Sequence, residues 1–408
     1  MPNSVAYCTI ASANYMTHVM GLRDSLARHH GASLNVLFCE PPDLVREQIA
    51  PTVEVQCHTL DDIGCDEWLR MAFRYDITEF NTAVKPFLLR TLLNRGADAV
   101  VYFDPDIVIF NDLRELEALA LTHDAVLTPH ICSPFEEDGH FPDSLELNRR
   151  GQFNLGFCAL RKGEQVDGAL RWWEGRCRRE CVFDPEHALF VDQGWANLMV
   201  SFLPDVHILR SEAYNMAWWN LFQRRLYSEN GRWMTGDGPL VFFHYSGLQP
   251  DRLNWVSRHS TGRCMASAGS DLYRLLEDYT EQMKASCYRS FSSYPYVFDR
   301  FEDGTPVTRE QRQKYLRLTD IECNLVGNPF CNRTYIDSLV EIGEAADTSS
   351  GSQAPATSPS ITRADLPLRY KVVDKVNDSV KRLPLLHSLA KALMNAVVAA
   401  RVRLRGAR

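Results

Sequence analysis

No run of about 18 apolar residues occurs in this 408-residue chain, so the sequence offers no membrane-spanning helix. Cysteine is too dilute for a disulfide scaffold, at 12 in the whole chain, and no CxxC pair marks a zinc or redox site. Cys177 and Cys181 stand in an Arg-rich stretch with no second ligand pair nearby, so the thiols read as scattered and reduced. The start, Met1 to Tyr7, lacks a charged segment leading into a long apolar one, and the expectation is a cytoplasmic protein. Basic charge is in deficit, with 44 Lys and Arg against 52 Asp and Glu and a formal charge of −8. That balance argues against a nucleic-acid binder that relies on a broadly basic surface. No Gly-rich N-terminal loop ends in Arg or Lys, which counts against nucleotidyl transfer, and no internal repeat stands out.

What remains is an ordinary globular composition, 45% hydrophobic and 24% charged. The length suits one large α/β domain with additions, or two lobes. Val5–Ala11 and Leu34–Phe38 are apolar runs of strand length, and Tyr15–His29 between them carries apolar residues at helical spacing. Asp98–Phe110 is a second strong strand signal, interrupted by Asp104-Pro105-Asp106. Strands alternating with helices of this size predict parallel pairing through crossover helices. Phe153–Leu160 and Leu240–Tyr245 read as further buried strands, and the Trp-, Arg- and His-rich segment between them as helices and long loops. Helical patterns follow over Asp271–Ser286 and Arg309–Asn324. The expected organisation is a catalytic domain over 1–262, a helical extension packed on it over 263–342, a flexible linker over 343–365 and a basic amphipathic tail over 366–408.

Asp104-Pro105-Asp106 is the sharpest chemical feature. Carboxylates at the end of a parallel strand lie where open α/β sheets hold ligands. Hard oxygen ligands of this kind suit Mg²⁺ or Mn²⁺, which can bridge a diphosphate. Taken alone, the triplet reads equally as a solvated turn.

Other pieces appear with it in a fixed order. Thr9 to Tyr15, through Asn14, opens the first strand and helix; Thr82 to Leu89, around Lys85, precedes the acidic triplet. Phe153-Asn154-Leu155-Gly156 follows, then Val191-Asp192-Gln193, then Phe243-His244-Tyr245-Ser246-Gly247. This set resembles glycosyltransferases of the GT-A fold, especially retaining family 8, over roughly residues 4 to 262. Asn215 to Asn220 and Ser257 to His259 further resemble a broad set of bacterial sugar transferases.

The resemblance implies an α/β fold with a mostly parallel, Rossmann-like central sheet flanked by helices, and a helical C-terminal extension. It implies metal ligands at Asp104, Asp106 and His244 for Mn²⁺ or Mg²⁺. Thr9, Asn14 and Tyr15 would lie near the nucleobase, Lys85 near donor sugar or phosphate, and Asn154, Asp192 and Gln193 along the donor sugar. Gly247 closes the late His turn. The family's Lys-Pro-Trp continuation is missing after it; Arg252 or Arg258 would take the lysine's place, since guanidinium binds phosphate in a bidentate way. Gly194 also replaces the usual acidic residue after Asp-Gln.

Simpler readings stand beside each assignment. Asn154 and Gly156 fit a strand bulge, Asp192 a helix N-cap, His244 a satisfied core histidine and Lys85 a surface lysine. Trp218 and Trp219, near Asn215, read either as core packing or as an acceptor platform on which sugar faces stack. Trp172 and Trp173 read first as core.

The expected activity is transfer of a sugar from a nucleotide-diphosphate sugar, with UDP as the family default, to a glycan or lipid-linked acceptor. Configuration would be retained, with Asp192 or Gln193 nearest the reacting carbon and a same-face attack favoured over double displacement. Between Leu368 and Arg408 stand ten Lys and Arg and two Asp, which leaves −16 on the rest of the chain. Such a tail with its interspersed leucines fits an anionic membrane surface, on the inner face of the membrane, and equally a solvated or oligomer-forming helix. Two competing classes remain. Asp104-Pro105-Asp106-Ile107-Val108 also fits the haloacid-dehalogenase phosphohydrolase signature, though that motif belongs on a first strand. A non-catalytic nucleotide-sugar-binding module is the other. Asn-X-Ser/Thr triplets at Asn332 and Asn377 are read as chance.

Overall fold

The computed structural model describes residues 4–286 and 291–339. The chain divides into two compact units, Met1–Arg300 and Phe301–Arg408. The linker expected over 343–365, the tail over 366–408 and the last residues of the expected extension lie outside the described residues.

The first unit is built on a seven-stranded sheet. Its strands are β1 (Val5–Ala11), β2 (Leu34–Phe38), β3 (Gln56–His58), β4 (Ala99–Phe103), β6 (Ala125–Pro129), β7 (Phe153–Arg161) and β8 (Val206–Ile208), with β5 (Ile107–Ile109) outside this sheet. They lie in the order β8-β6-β7-β4-β1-β2-β3. Pairing is parallel throughout except around β7, which runs antiparallel to both β4 and β6. The near-continuous apolar run of β7 reports burial on both faces, and burial does not encode direction.

Helices α1 (Met16–His30), α2 (Lys85–Asn94), α3 (Arg114–Thr122), α4 (Ser144–Arg150), α5 (Glu164–Cys177) and α6 (Gln193–Phe202) connect or flank these strands. Helix α1 shows why such boundaries hold: Gly31 at its end takes the left-handed conformation (φ 72°) and its N–H closes on the carbonyls of Leu26 and Ala27.

A small second sheet fixes the chemistry. It consists of β9 (Met216–Ala217), β10 (Phe242–His244) and β5, in the order β9-β10-β5. The Leu240–Tyr245 run, read from sequence as one more buried strand, thus pairs with the segment just after the acidic triplet. Phe103, Phe157 and Phe242 form one aromatic knot, with Phe242 edge-on to Phe103 at 5.2 Å, and so weld the two sheets together. Each such buried ring contributes roughly 1.5–3 kcal/mol. Helix α7 (Asp271–Ala285) belongs to this first unit and buries Leu275, Leu276, Tyr279 and Met283 against β10 and its neighbours.

In the second unit the helical pattern read over Arg309–Asn324 is two helices, α8 (Arg309–Leu316) and α9 (Asp320–Val326). Thr308 and Thr319 each form a capping box, with Gln311 and Glu322 respectively. The second box satisfies the orphan N–H groups of a fresh start, which is why the periodic stretch breaks there.

Candidate metal and donor site

The site begins where β4 ends. Asp104, Pro105 and Asp106 make a tight turn closed by the Ile107 N–H donating to the Asp104 carbonyl at 3.1 Å. The chain then enters β5, whose antiparallel register sets Ile107 opposite His244. Tyr245 N–H donates to the Asp106 carbonyl at 2.9 Å. Backbone pairing therefore delivers an imidazole from far along the chain to both carboxylates. His244 Nε2 lies 3.1 Å from Asp106 Oδ1 and 3.7 Å from Asp104 Oδ2. One ligand atom from each of the three falls within 4.8 Å of the others, the arrangement one cation needs. Burial works to lower the His244 pKa, but the neighbouring Asp106 and Asp104 carboxylates outweigh it and hold the imidazole above its ordinary value. Asp106 is held below the usual carboxylate range, because His244 overcomes the opposing effect of burial.

Behind His244 the packing is tight. A Cβ on Gly156 would stand 2.3 Å from His244 Cε1, so only glycine leaves room for this imidazole. Asn154 Oδ1 accepts from Gly156 N–H (3.1 Å) and from Asn215 Nδ2 (3.1 Å), and Asn215 Nδ2 also donates to Thr128 Oγ1 at 2.7 Å. Asn215 is buried with φ 52°, a conformation asparagine tolerates better than most residues. Asn154 and Gly156 read from sequence as a bulge, with Asn154 also along the donor sugar; Gly156 packs against the histidine and Asn154 is tied to the Gly156 N–H.

A second ionic pair lies on the other side of Asp104. Lys85 Nζ sits 2.7 Å from Asp192 Oδ2 and donates to the Leu155 carbonyl at 2.9 Å, with both side chains 2% exposed. Lys85 is therefore no surface lysine. Burial pulls its pKa down, yet Asp192 and Asp104 more than compensate and keep it charged. Asp192 precedes α6 but makes no side-chain cap bond, so its carboxylate serves Lys85 instead of the helix. The preceding Val191 has φ 40°, a strained position for a β-branched residue, and this turn carries the chain into α6. Gln193 spends its amide on the backbone, accepting from Leu155 N–H (3.0 Å) and donating to the Arg150 carbonyl (2.8 Å).

Tyr102 joins the two groups, its hydroxyl donating to Asp104 Oδ1 at 2.8 Å while Lys85 Nζ lies 4.4 Å from its ring centre. Sequence reading missed it, though residues two apart on a strand share a face and Tyr102 stands two before Asp104. Glu40, just past β2, was also missed. Its Oε1 accepts from Ala13 N–H at 2.9 Å, in the turn that holds Asn14, and burial pushes its carboxyl up to about 7.

Several of the expected contact residues are buried. Thr9 is fully buried inside β1, two residues short of the strand's end. Trp218 and Trp219 are 6% and 4% exposed and belong to the core around Met216, Leu240 and Phe243, so neither offers an open face to an acceptor sugar. Trp219 instead stands edge-on to His244, ring centres 5.2 Å apart. Asn215 likewise sits behind His244 and presents nothing to an acceptor.

At the rim, Asn14 is half-buried and Tyr15 is exposed, its ring stacked on His18 at 4.6 Å. Gly247 has φ 70° and lies so close to Ser257 and His259 that a Cβ would clash with both; its carbonyl accepts from Arg258 N–H at 2.8 Å. Arg252 and Arg258 are exposed and line a concavity of about 340 Å³ with Gln249, Trp255, Ser257 and Ser260. Two guanidinium groups on one polar hollow suit an anion.

No protein-family model matches the chain. Two proteins of Bacillus subtilis (strain 168), both described as uncharacterized, are similar to it. YfnF is 25% identical over 284 residues, covering 66% of this chain and 90% of YfnF. YfnD is 26% identical over 247 residues, covering 59% and 77%. Among solved structures, the glycosyltransferase GlyE of Streptococcus pneumoniae TIGR4 aligns with 74% of this chain and 67% of its own, at 16% identity and a TM-score of 0.37. An active-site mutant of LgtC aligns with 71% of this chain and 97% of its own, at 15% identity and a TM-score of 0.42.

Proposed function

We propose that this chain is a metal-dependent glycosyltransferase that moves a sugar from a nucleoside-diphosphate sugar to a glycan or lipid-linked acceptor. The observation that carries the reading is the Asp104, Asp106 and His244 cluster at the C-terminal end of β4. There the sheet order departs in opposite directions from β1 and β4, the usual ligand crevice of open α/β sheets. Two carboxylates and one imidazole, partly open to solvent, fit Mn²⁺ or Mg²⁺. When bound, such an ion neutralises charge on a diphosphate leaving group. Arg252 and Arg258 are the cationic residues we assign to the outer phosphate, and Asn14 and Tyr15 to the nucleobase. No observation favours the phosphohydrolase reading, and the acidic triplet follows β4, not a first strand.

The residues beside the cluster bear on stereochemistry. Asp192 is closed off and engaged by Lys85, which makes it a poor covalent nucleophile. That supports the same-face route to retention, with Asp192 and Lys85 keeping the floor of the sugar site rigid and correctly charged. The uridine expectation rests on the resemblance alone, since nothing in the metal cluster selects a base. Among the described residues no helix is long and apolar enough to cross a membrane.

Thermal unfolding with UDP, GDP and CDP, each with and without Mn²⁺, tests the reading on the wild type and Asp106→Ala. A nucleotide at 100 times its Kd adds about 2.7 kcal/mol of stability. We expect one nucleotide to stabilise the wild type only with metal, and none to stabilise Asp106→Ala. A wild type indifferent to every nucleotide under both metal conditions would falsify the donor-site assignment.

A further inference from the structure

Resting on that reading, we propose that Asn154 and Asn215 are positioning residues of the metal centre and not sugar contacts. Asn154 supplies the carbonyl oxygen that receives the proton on His244 Nδ1 when Nε2 is a metal ligand, and Asn215 holds that carbonyl in place. Several independent features converge on this assignment. His244 directs Nε2 at both aspartates, so metal binding through Nε2 leaves the imidazole proton on Nδ1. Nδ1 is buried and has no hydrogen-bond partner among the described residues. A ligating histidine nearly always donates its second ring N–H, and this shell orients the ring and raises its basicity. The position a Gly156 Cβ would take lies 2.7 Å from His244 Nδ1 and 2.8 Å from Asn154 Oδ1, so both atoms border one small volume.

The carbonyl is already held from elsewhere. Asn215 Nδ2 fixes Asn154 Oδ1 and is itself fixed by Thr128, while the Asn215 carbonyl accepts from Asn220 Nδ2 at 3.0 Å. Asn215 Oδ1 is buried and, among the described residues, also without a partner, which adds a second acceptor to the same layer. Donor and acceptors thus stand ready around an imidazole that also makes a T-shaped contact with Trp219.

The test is Mn²⁺ affinity of the nucleotide-free protein, measured by calorimetry or by electron paramagnetic resonance of free Mn²⁺. Asn154→Ala should weaken binding about 10- to 100-fold, the usual effect of losing an outer-shell partner. Asn154→Asp keeps the acceptor and should restore affinity to wild-type level or better. Asn215→Gly retains the left-handed backbone at no steric cost and should weaken binding by a smaller factor. Thermal melting of the metal-free variants checks that each is folded, and should Asn154→Ala fail to fold, Asn215→Gly decides the matter. The assignment is overturned if Asn154→Ala or Asn215→Gly binds Mn²⁺ like wild type, and a raised donor KM would then return Asn154 to the sugar. His244→Ala separates the two failures: if it too binds Mn²⁺ like wild type, the metal centre itself is wrong.

Discussion

Two ionic groups flank Asp104, and they differ in one respect. Lys85 and Asp192 are 2% exposed and already paired at 2.7 Å, whereas the carboxylates facing His244 keep 31% and 13% of their side chains open. A closed pair has spent its charges on each other and on the Leu155 carbonyl. An open cluster with an excess of negative charge still has something to bind. Exposure and charge balance together separate a structural clamp from a ligand site, where residue type alone does not.

Breaking the closed pair should produce the largest effect. Lys85→Met leaves Asp192 buried without its cation and should cost about 3–5 kcal/mol in urea unfolding, while Lys85→Met with Asp192→Leu should recover much of that loss. Equal losses in the single and double variants would argue that the pair is not a clamp.

Glu40 sharpens the contrast, being closed yet, among the described residues, without a cationic partner. Burial raises its carboxyl from an ordinary 4.5 to about 7, against the opposing pull of the Ala13 N–H. The folded state then holds a proton that the unfolded state has released, so this group's contribution falls as pH rises from about 4.5 to 7. Glu40→Gln should remove that slope and add on the order of 2–3 kcal/mol at pH 8 relative to pH 4. A parallel pH profile in variant and wild type would contradict it.

Least disruptive should be a change in the open cluster. Asp104→Asn is expected to cost less metal-free stability than Lys85→Met in the same urea unfolding, since Asp104 keeps 31% of its side chain open and asparagine retains an acceptor for Tyr102. A loss comparable to that of Lys85→Met would make the cluster structural.

Much of this was legible in the chain. The first strand, helix and strand announce themselves by apolar periodicity and the acidic triplet by local chemistry, whereas the late histidine stood out only through its place in the ordered set of motifs. Direction and partnership were less legible, because β7 is apolar on both faces and reads the same whichever way it runs. The solvated-turn and surface-lysine readings of Asp104 and Lys85 were open for the same reason: charge is visible in a sequence and burial of a charge is not. Tyr102 and Glu40 escaped notice because a lone tyrosine in a strand and a lone glutamate after one are ordinary residues until a neighbour is known. The tryptophans misled in the opposite sense, since indole rings suit sugar faces and cores alike.

By itself the sequence determined which segments are strands and helices, and that two aspartates stand at a strand's end. Both are local properties, written in periodicity and spacing. Only the tertiary structure decided that β5 and β10 pair, that His244 therefore meets those aspartates, and that Asp192 pairs with Lys85. Those are contacts between distant segments, set by which apolar surfaces bury together, and no local pattern carries them.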